Sequence, residues 1–524
     1  MASPIILLIC LFVQSLLAVD LTVDVGYTKY RGTDRGNGIY RWAGMRYARS
    51  ASRRDGMRFA PPAEPPSIGG IVDAKEFGPV CISSGTDLKS EFGVDQSEDC
   101  LFVNVFAPAK ATATSNLPVY VFIQGGGFNA NGNPNFDGAS LIHAANFEMV
   151  VVNFNYRVGP YGFLAGQEIV SDKGSSLNNG LKDQRQLLKW VKTHIRQFGG
   201  DPDHVTLGGA SAGGGSVVLH LTAYGGRDDK LFNAAVAESQ AFPPLRTVKD
   251  SQFQYDELLK QTGCKDLKCM RDMDAVQFQK AVRSINMPFP GGKEAPMWFW
   301  NPTLDYDFIG NYTYNEIKAG HLVKVPTIFG DDTNEGTQFI PDEVTSMSKA
   351  EQFVSDQYTT LSEQQKASIR AVFQGPTNTE NDPNWKKVAA EVFGSIRYVC
   401  PGINISAAYA NNGSPTWQYR WDVGSALHVS ELGPVWFNGT SAAAVFIHNY
   451  FASFIRSYDP NKYKHDFFVD GGKKITSPTW EQFGKGNGKR MLFADNNLVK
   501  MEDIPNEQHQ KCGVISGLGI SLKQ

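Results

Sequence analysis

The chain has 524 residues, with 50 Lys+Arg against 53 Asp+Glu, a formal net charge of −3 and 42% hydrophobic residues. That balance excludes nucleic acid as an electrostatic partner, since no basic face is available, and it excludes an acidic or polybasic tail. The 52 glycines and 27 prolines stay well below low-complexity proportions, which leaves a compact, nearly neutral globular protein.

In chain order, residues 1–19 are apolar except for Ser3, Gln14 and Ser15. The run 5–13 has the length of a secretory signal core, short of the ~20 residues that span a bilayer. Cleavage is expected after Ala18, giving a signal peptide over 1–18 and an exported chain over 19–524 with no stable membrane anchor. Leu16 stands where a small residue is preferred and no Lys or Arg precedes the core, so a signal anchor is the alternative. Of seven cysteines, Cys10 leaves with the signal peptide. The even remainder, Cys81, Cys100, Cys264, Cys269, Cys400 and Cys512, suits an oxidising compartment, and their spacing fits no zinc pattern. Asn-x-Ser/Thr sequons at Asn311, Asn404, Asn412 and Asn438 fit the same extracellular destination, Asn412 least because Pro415 follows its Ser414.

Residues 21–30 and 39–47 read as strands joined by a Gly/Asn/Asp turn. Residues 119–123 and 149–154 read as short buried strands, the first ending at Gly125-Gly126-Gly127. Residues 184–198 read as an amphipathic helix, with Leu187, Leu188, Val191 and Ile195 at helical spacing, stopped by Gly199-Gly200-Asp201-Pro202. A strand at 205–207, a helix at 216–224 and strands at 325–329 and 417–421 follow. This alternation predicts an α/β fold, a mostly parallel sheet covered by helices on both faces. Residues 252–301 and 342–400 read as cap insertions in one catalytic domain. The first carries Pro296-Met297-Trp298-Phe299-Trp300, which is either a satellite core or the wall of an apolar site.

The chemistry concentrates in Gly209-Ala210-Ser211-Ala212-Gly213, a G-x-S-x-G with a strand before it and a helix after. A serine on so tight a turn has a strained backbone, and only small residues two before and two after let strand and helix pass. The alternative, a phosphate cradle, lacks the Lys-Ser/Thr of a P-loop. Gln124-Gly125-Gly126-Gly127-Phe128 follows an upstream strand as an oxyanion-hole loop would. With the Ala212 N–H it offers up to three donors. The acid of a triad is expected next in the chain. Asp331, Asp332 and Glu335 after the 325–329 strand are the candidates. Of the histidines beyond them, His428 follows a strand by a short loop. His448 sits mid-helix, His465 in a charged turn and His509 in the polar tail.

These segments resemble the type-B carboxylesterase/lipase family, which includes the cholinesterases. The resemblance rests also on Ser97-Glu98-Asp99-Cys100-Leu101, Asn155-Tyr156-Arg157-Val158-Gly159, Leu181-Lys182-Asp183-Gln184-Arg185 and Phe198-Gly199-Gly200-Asp201-Pro202, and it covers nearly the whole chain. It implies an α/β-hydrolase fold and hydrolysis of carboxylic esters, small-molecule or lipid, without metal or cofactor. It implies Ser211 as nucleophile, Glu335 as acid and His428, followed by Glu431, as base. It also implies an oxyanion hole of Gly126, Gly127 and Ala212, and the disulfides Cys81–Cys100, Cys264–Cys269 and Cys400–Cys512. Two departures bear on substrate. Ala210 replaces the usual Glu before the serine, and the Cys81–Cys100 loop is short and lacks a Trp, which argues against choline esters and against a long lipase-type lid. Gln124 stands where His is frequent. The expected function is a secreted esterase; a strict triacylglycerol lipase and an inactive adhesion protein are the alternatives. No feature of the sequence bears on oligomeric state.

Overall fold

A strand covered on both faces must be apolar at nearly every position, and its alternate residues must feed two different cores. The segment Leu117–Ile123 meets this condition. Val119, Val121 and Ile123 enter one apolar cluster while Tyr120 and Phe122 enter another. In the computed structural model, which describes residues 19–88, 95–132, 134–373, 384–469, 472–486 and 488–524, this strand lies near the middle of an eleven-stranded sheet. The expected signal segment, 1–18, lies outside the described residues, as does 89–94 in the Cys81–Cys100 loop.

The strands are β1 Thr33–Asp34, β2 Ile39–Arg46, β3 Phe102–Pro108, β4 Leu117–Ile123, β5 Val150–Phe154, β6 Gly200–Ala210, β7 Ala234–Glu238, β8 Thr327–Asp332, β9 Thr416–Asp422, β10 Lys489–Ala494 and β11 Leu498–Asp503. Their order is β11-β10-β9-β8-β7-β6-β4-β5-β3-β2-β1. From β5 to β10 all neighbours are parallel, and the pairs outside that stretch are antiparallel. Helices α1 (Asn179–His194) and α2 (Ala212–Gly226) supply Leu187, Leu188, Val191, Val217 and Leu221 to the core on one face. A later helix, Ala442–Ser457, supplies Phe446, Ile447, Tyr450 and Phe454 to the other. Each buried side chain of this size contributes roughly 1.5–3 kcal/mol before the cost of ordering the chain. A third cluster, including Phe353, Ile369, Trp385 and Phe393, gathers under the 342–400 segment. No helix among the described residues is long and apolar enough to cross a membrane.

The elements depart from the sequence expectation at their ends. Residues 21–30 form two strands, Thr22–Asp24 and Lys29–Arg31, because Gly26 turns the chain at φ 87° and the Val25 N–H closes onto the Thr28 carbonyl. Helix α1 begins at Asn179, and its expected last turn is the 3₁₀ turn Ile195–Phe198. Helix α2 begins at Ala212, although Gly213, Gly214 and Gly215 are poor helix formers. Strand β8 runs through Asp331 and Asp332, past the end of the expected 325–329 strand. They are 1% and 0% exposed, because the ladder to Arg420 and Trp421 continues past the apolar residues.

The cysteines pair as Cys81–Cys100, Cys264–Cys269 and Cys400–Cys512, with sequence separations of 19, 5 and 112. Loop-closure entropy makes the widest bridge worth about 4–5 kcal/mol, against about 3 kcal/mol for the 19-residue one. Replacing Cys400 and Cys512 by serine is therefore expected to lower the urea midpoint more than replacing Cys81 and Cys100. Denaturation curves with the reverse ranking would contradict the loop-length argument.

Candidate active site

The turn from β6 into α2 explains its own sequence. Ser211 sits at φ 58°, ψ −122°, outside the ordinary L-residue regions, between the last residue of the strand and the first of the helix. A Cβ on Gly213 would stand 2.0 Å from the Ile123 carbonyl oxygen, and one on Gly209 would stand 2.5 Å from the Gly213 oxygen. These contacts are with backbone, which has nowhere to move. The strained turn is held by three backbone bonds. The Ser211 N–H donates to the Glu238 carbonyl at 2.9 Å, and the Gly215 and Ala241 N–H groups donate to the Ser211 carbonyl at 2.9 and 3.0 Å. The turn therefore presents Oγ at the positive end of α2.

His428 Nε2 lies 2.8 Å from Ser211 Oγ. Its Nδ1 hydrogen-bonds to Glu335 Oε2. With the Nδ1 proton donated to the carboxylate, Nε2 is the free base that accepts the Ser211 O–H. Glu335 is 1% exposed, and its other oxygen accepts the Asp332 N–H at 2.9 Å. The two loops that carry acid and base are joined directly. The Asn334 N–H donates to the Ala426 carbonyl and its side-chain amide to the Ser425 carbonyl, each at 2.9 Å. Of the three candidate acids, the structure brings only Glu335 to the imidazole. His448 instead donates Nδ1–H to the Val435 carbonyl at 2.7 Å inside the core.

Gly126 and Gly127 have φ of 113° and 62°. A Cβ on Gly126 would meet the Ala130 oxygen at 1.9 Å, and one on Gly127 would meet the Trp298 ring at 2.4 Å. Among the described residues, the N–H groups of Gly126, Gly127 and Ala212 have no protein acceptor. Gln124, 1% exposed, braces the loop from behind through Asn131 and Asn155, at 3.2 and 3.4 Å.

Some neighbours carry no sequence signal. Tyr398 and Phe339 lie against the His428 ring at 4.3 and 5.2 Å between centroids, and Phe339 also meets Trp298 at 6.4 Å. Tyr398 belongs to the π-turn Ser395–Val399, a conformation no simple periodicity announces. Trp298 comes from the aromatic stretch noted in the sequence, and it packs over the glycine loop. Phe339 also lines a groove of about 560 Å³ with Met297, Pro341, Val344 and Phe353, and Glu294, Glu343, Lys349 and Asp356 belong to the same lining.

Behind the triad lies a set of buried acids. Tyr419 O–H donates to Glu431 at 2.7 Å, and the Ser430 and Ser239 hydroxyls donate to Asp332 at 2.7 and 3.1 Å. Burial pushes Glu238, Asp332 and Glu431 up; repulsion from Glu431 adds to it at Glu238 and Asp332, whereas hydrogen bonds with Asp332 and Tyr419 oppose it at Glu431. Among the described residues the Asp331 carboxylate makes no hydrogen bond; it has Arg490 at 4.0 Å and is raised by burial to about 8.

A model described as the Carboxylesterase family matches residues 20–512. The chain is 30% identical over 460 residues to "Secreted lipase 4" of Gibberella zeae, covering 81% of this chain and 80% of that one. It is 35% identical over 327 residues to "Para-nitrobenzyl esterase" of Bacillus subtilis, covering 60% and 63% of the two chains. Among solved structures it is similar to the crystal structure of Aspergillus niger EstA, with a TM-score of 0.88, 34% identity and coverage of 97% and 99%. A PNB esterase follows with a TM-score of 0.78, 26% identity and coverage of 94% and 99%. The fold is that of the α/β-hydrolases.

The Asp331 carboxyl gives a pH test of the site's surroundings. In the folded chain it keeps its proton up to about 8, whereas in the unfolded chain it ionises near ~4. Its contribution to stability is therefore lost as pH rises between about 4 and 8. Asp331→Asn does not titrate, so its melting temperature relative to wild type should rise from about pH 5 to about pH 8.5. A difference that stays constant or falls would contradict the raised carboxyl.

Proposed function

We propose that this chain, which belongs to the carboxylesterase family and is a carboxylic ester hydrolase, works outside the cell through an acyl-enzyme formed on Ser211. The observation that carries the reading is the relay from Ser211 Oγ to His428 Nε2, at 2.8 Å, with Glu335 on the other ring nitrogen. His428 takes the Ser211 proton as Oγ attacks the ester carbonyl, and the imidazolium formed is stabilised by Glu335. The N–H groups of Gly126, Gly127 and Ala212 receive the tetrahedral oxyanion. His428 then returns the proton to the leaving alcohol, and water releases the acid by the same steps.

The groove beside Phe339 supports esters with an apolar, uncharged portion next to the reacting carbonyl. Export is supported by relatives named as secreted lipases and by the three disulfides. In this reading 19–524 is one catalytic domain, with 252–301 and 342–400 as caps over the site. Asn311 and Asn438, both exposed, are the sequons we assign to glycosylation, whereas the Asn404 amide donates to the Cys400 carbonyl at 2.7 Å within a helix.

Ser211→Ala should lower turnover of a short nitrophenyl ester by roughly 10⁴–10⁶-fold while the protein stays folded. Glu335→Gln should lower it by about 10²–10⁴-fold with little change in KM, because shape is kept and charge is lost. Residual activity of Ser211→Ala above about one per cent would reject the nucleophile. A panel from acetyl to palmitoyl esters, with emulsified triglyceride beside it, separates an esterase from a strict lipase.

A further inference from the structure

A buried guanidinium ordinarily has a carboxylate beside it, since an unpaired interior cation is costly. Arg246 is an exception. It is 9% exposed and stands immediately before a 15-residue helix, Val248–Thr262. Its guanidinium lies over the Phe289 ring at 3.5 Å, and among the described residues it makes no hydrogen bond and has no carboxylate within 4.0 Å. Burial lowers its pKa to about 10. What it faces is a pocket of about 370 Å³, which Lys249, Asp250 and Lys523 also line. Asp250 is already held by Lys523 at 2.9 Å, and its N–H donates to the Thr247 hydroxyl at 3.1 Å. The walls thus present three cations against one carboxylate that is already paired. The first turn of the helix, whose dipole end is positive, forms part of the same wall.

We propose that this pocket binds a carboxylate or phosphate group, gripped by the Arg246 guanidinium and supported by Lys249 and the helix N-terminus. The planar fork of Arg246 offers donors that no protein group takes up, and an oxyanion accepts two of them side by side. The flat face of the fork is already fixed by Phe289, so little ordering remains when the anion enters. Gln357 lines both this pocket and the groove beside Phe339. The anion can therefore be the far end of an ester lying in that groove, or a free small anion beside it.

Calorimetric titration of the full chain with inorganic phosphate and with succinate at low salt tests the pocket without requiring turnover, so its result is independent of the catalytic assignment. Saturable binding is expected, weakened by at least about tenfold in Arg246→Met, which keeps a stem over Phe289 but loses the donors. Arg246→Lys should recover only part, because charge returns without the fork. Near-UV circular dichroism and ligand-free melting establish whether each variant is folded. Should the Arg246 variants fail to fold, the exposed Lys249→Met decides, with a weakening of about threefold expected. A kinetic arm identifies the source by comparing nitrophenyl esters of equal length with and without a terminal carboxylate. If the ester end is the ligand, Arg246→Met raises the ratio of their KM values by about tenfold. Anion binding with that ratio unchanged assigns the pocket to a free anion. No saturable binding to wild type, or binding indifferent to both Arg246 and Lys249, overturns the proposal.

Discussion

The constraint on which the site depends is a backbone contact. The helix that begins at Ala212 passes so near the end of β4 that a Cβ on Gly213 would stand 2.0 Å from the Ile123 oxygen. Because of that approach, Ser211 is held in a conformation that few residues adopt, and Gly125 lies where its own Cβ would meet Ser211 Cβ at 2.9 Å. The glycine loop and the nucleophile are therefore positioned by one packing event. Anything that separates β4 from α2 moves the serine and the backbone donors together. Strain at one residue persists because the parallel sheet around it, buried on both faces, leaves no other arrangement for the strand ends.

The acid and base are delivered by a second consequence of the same sheet. Strands β8 and β9 are parallel neighbours, so the loops leaving their carboxyl ends emerge side by side. Asn334 ties one loop to the other with both its backbone and its side chain, and Leu427 bridges to it. Glu335 and His428 lie 93 residues apart in the chain, yet each is next to that junction. Register, more than any local preference, brings them into contact.

This explains what the sequence made legible. The elbow could be read because its requirements are steric and local: small residues at fixed offsets between a strand and a helix. The glycine loop could be read for the same reason. Family resemblance selected Glu335 from three acids, since spacing alone left Asp331 and Asp332 open. The burial of those two was not legible, because a charged pair after an apolar strand ordinarily marks its exit to solvent, and here ladder pairing carries the strand further. The aromatic contacts of Tyr398 and Phe339 with His428 were illegible in a stricter sense. They depend on a π-turn and on the packing of a segment distant in the chain.

The alanine before the nucleophile is less of a deletion than the sequence suggests. Ala210 pairs in register with Glu238 on the adjacent parallel strand, so their side chains project on the same face of the sheet. A carboxyl therefore stands one strand over from the position that the family usually fills. It differs in how readily it ionises. Glu238 is 0% exposed, neither of its carboxyl oxygens has a hydrogen-bond partner among the described residues, and burial pushes it well above the ordinary carboxylate range. Burial thus disfavours its charged form. The carboxyl remains near the elbow, but burial opposes a negative charge on it. A fixed anion there would favour a cationic substrate, and burial of Glu238 weakens that preference. The aromatic and aliphatic side chains of the groove beside Phe339 and the buried Glu238 consequently bias the site in the same direction, towards esters whose reacting end is uncharged.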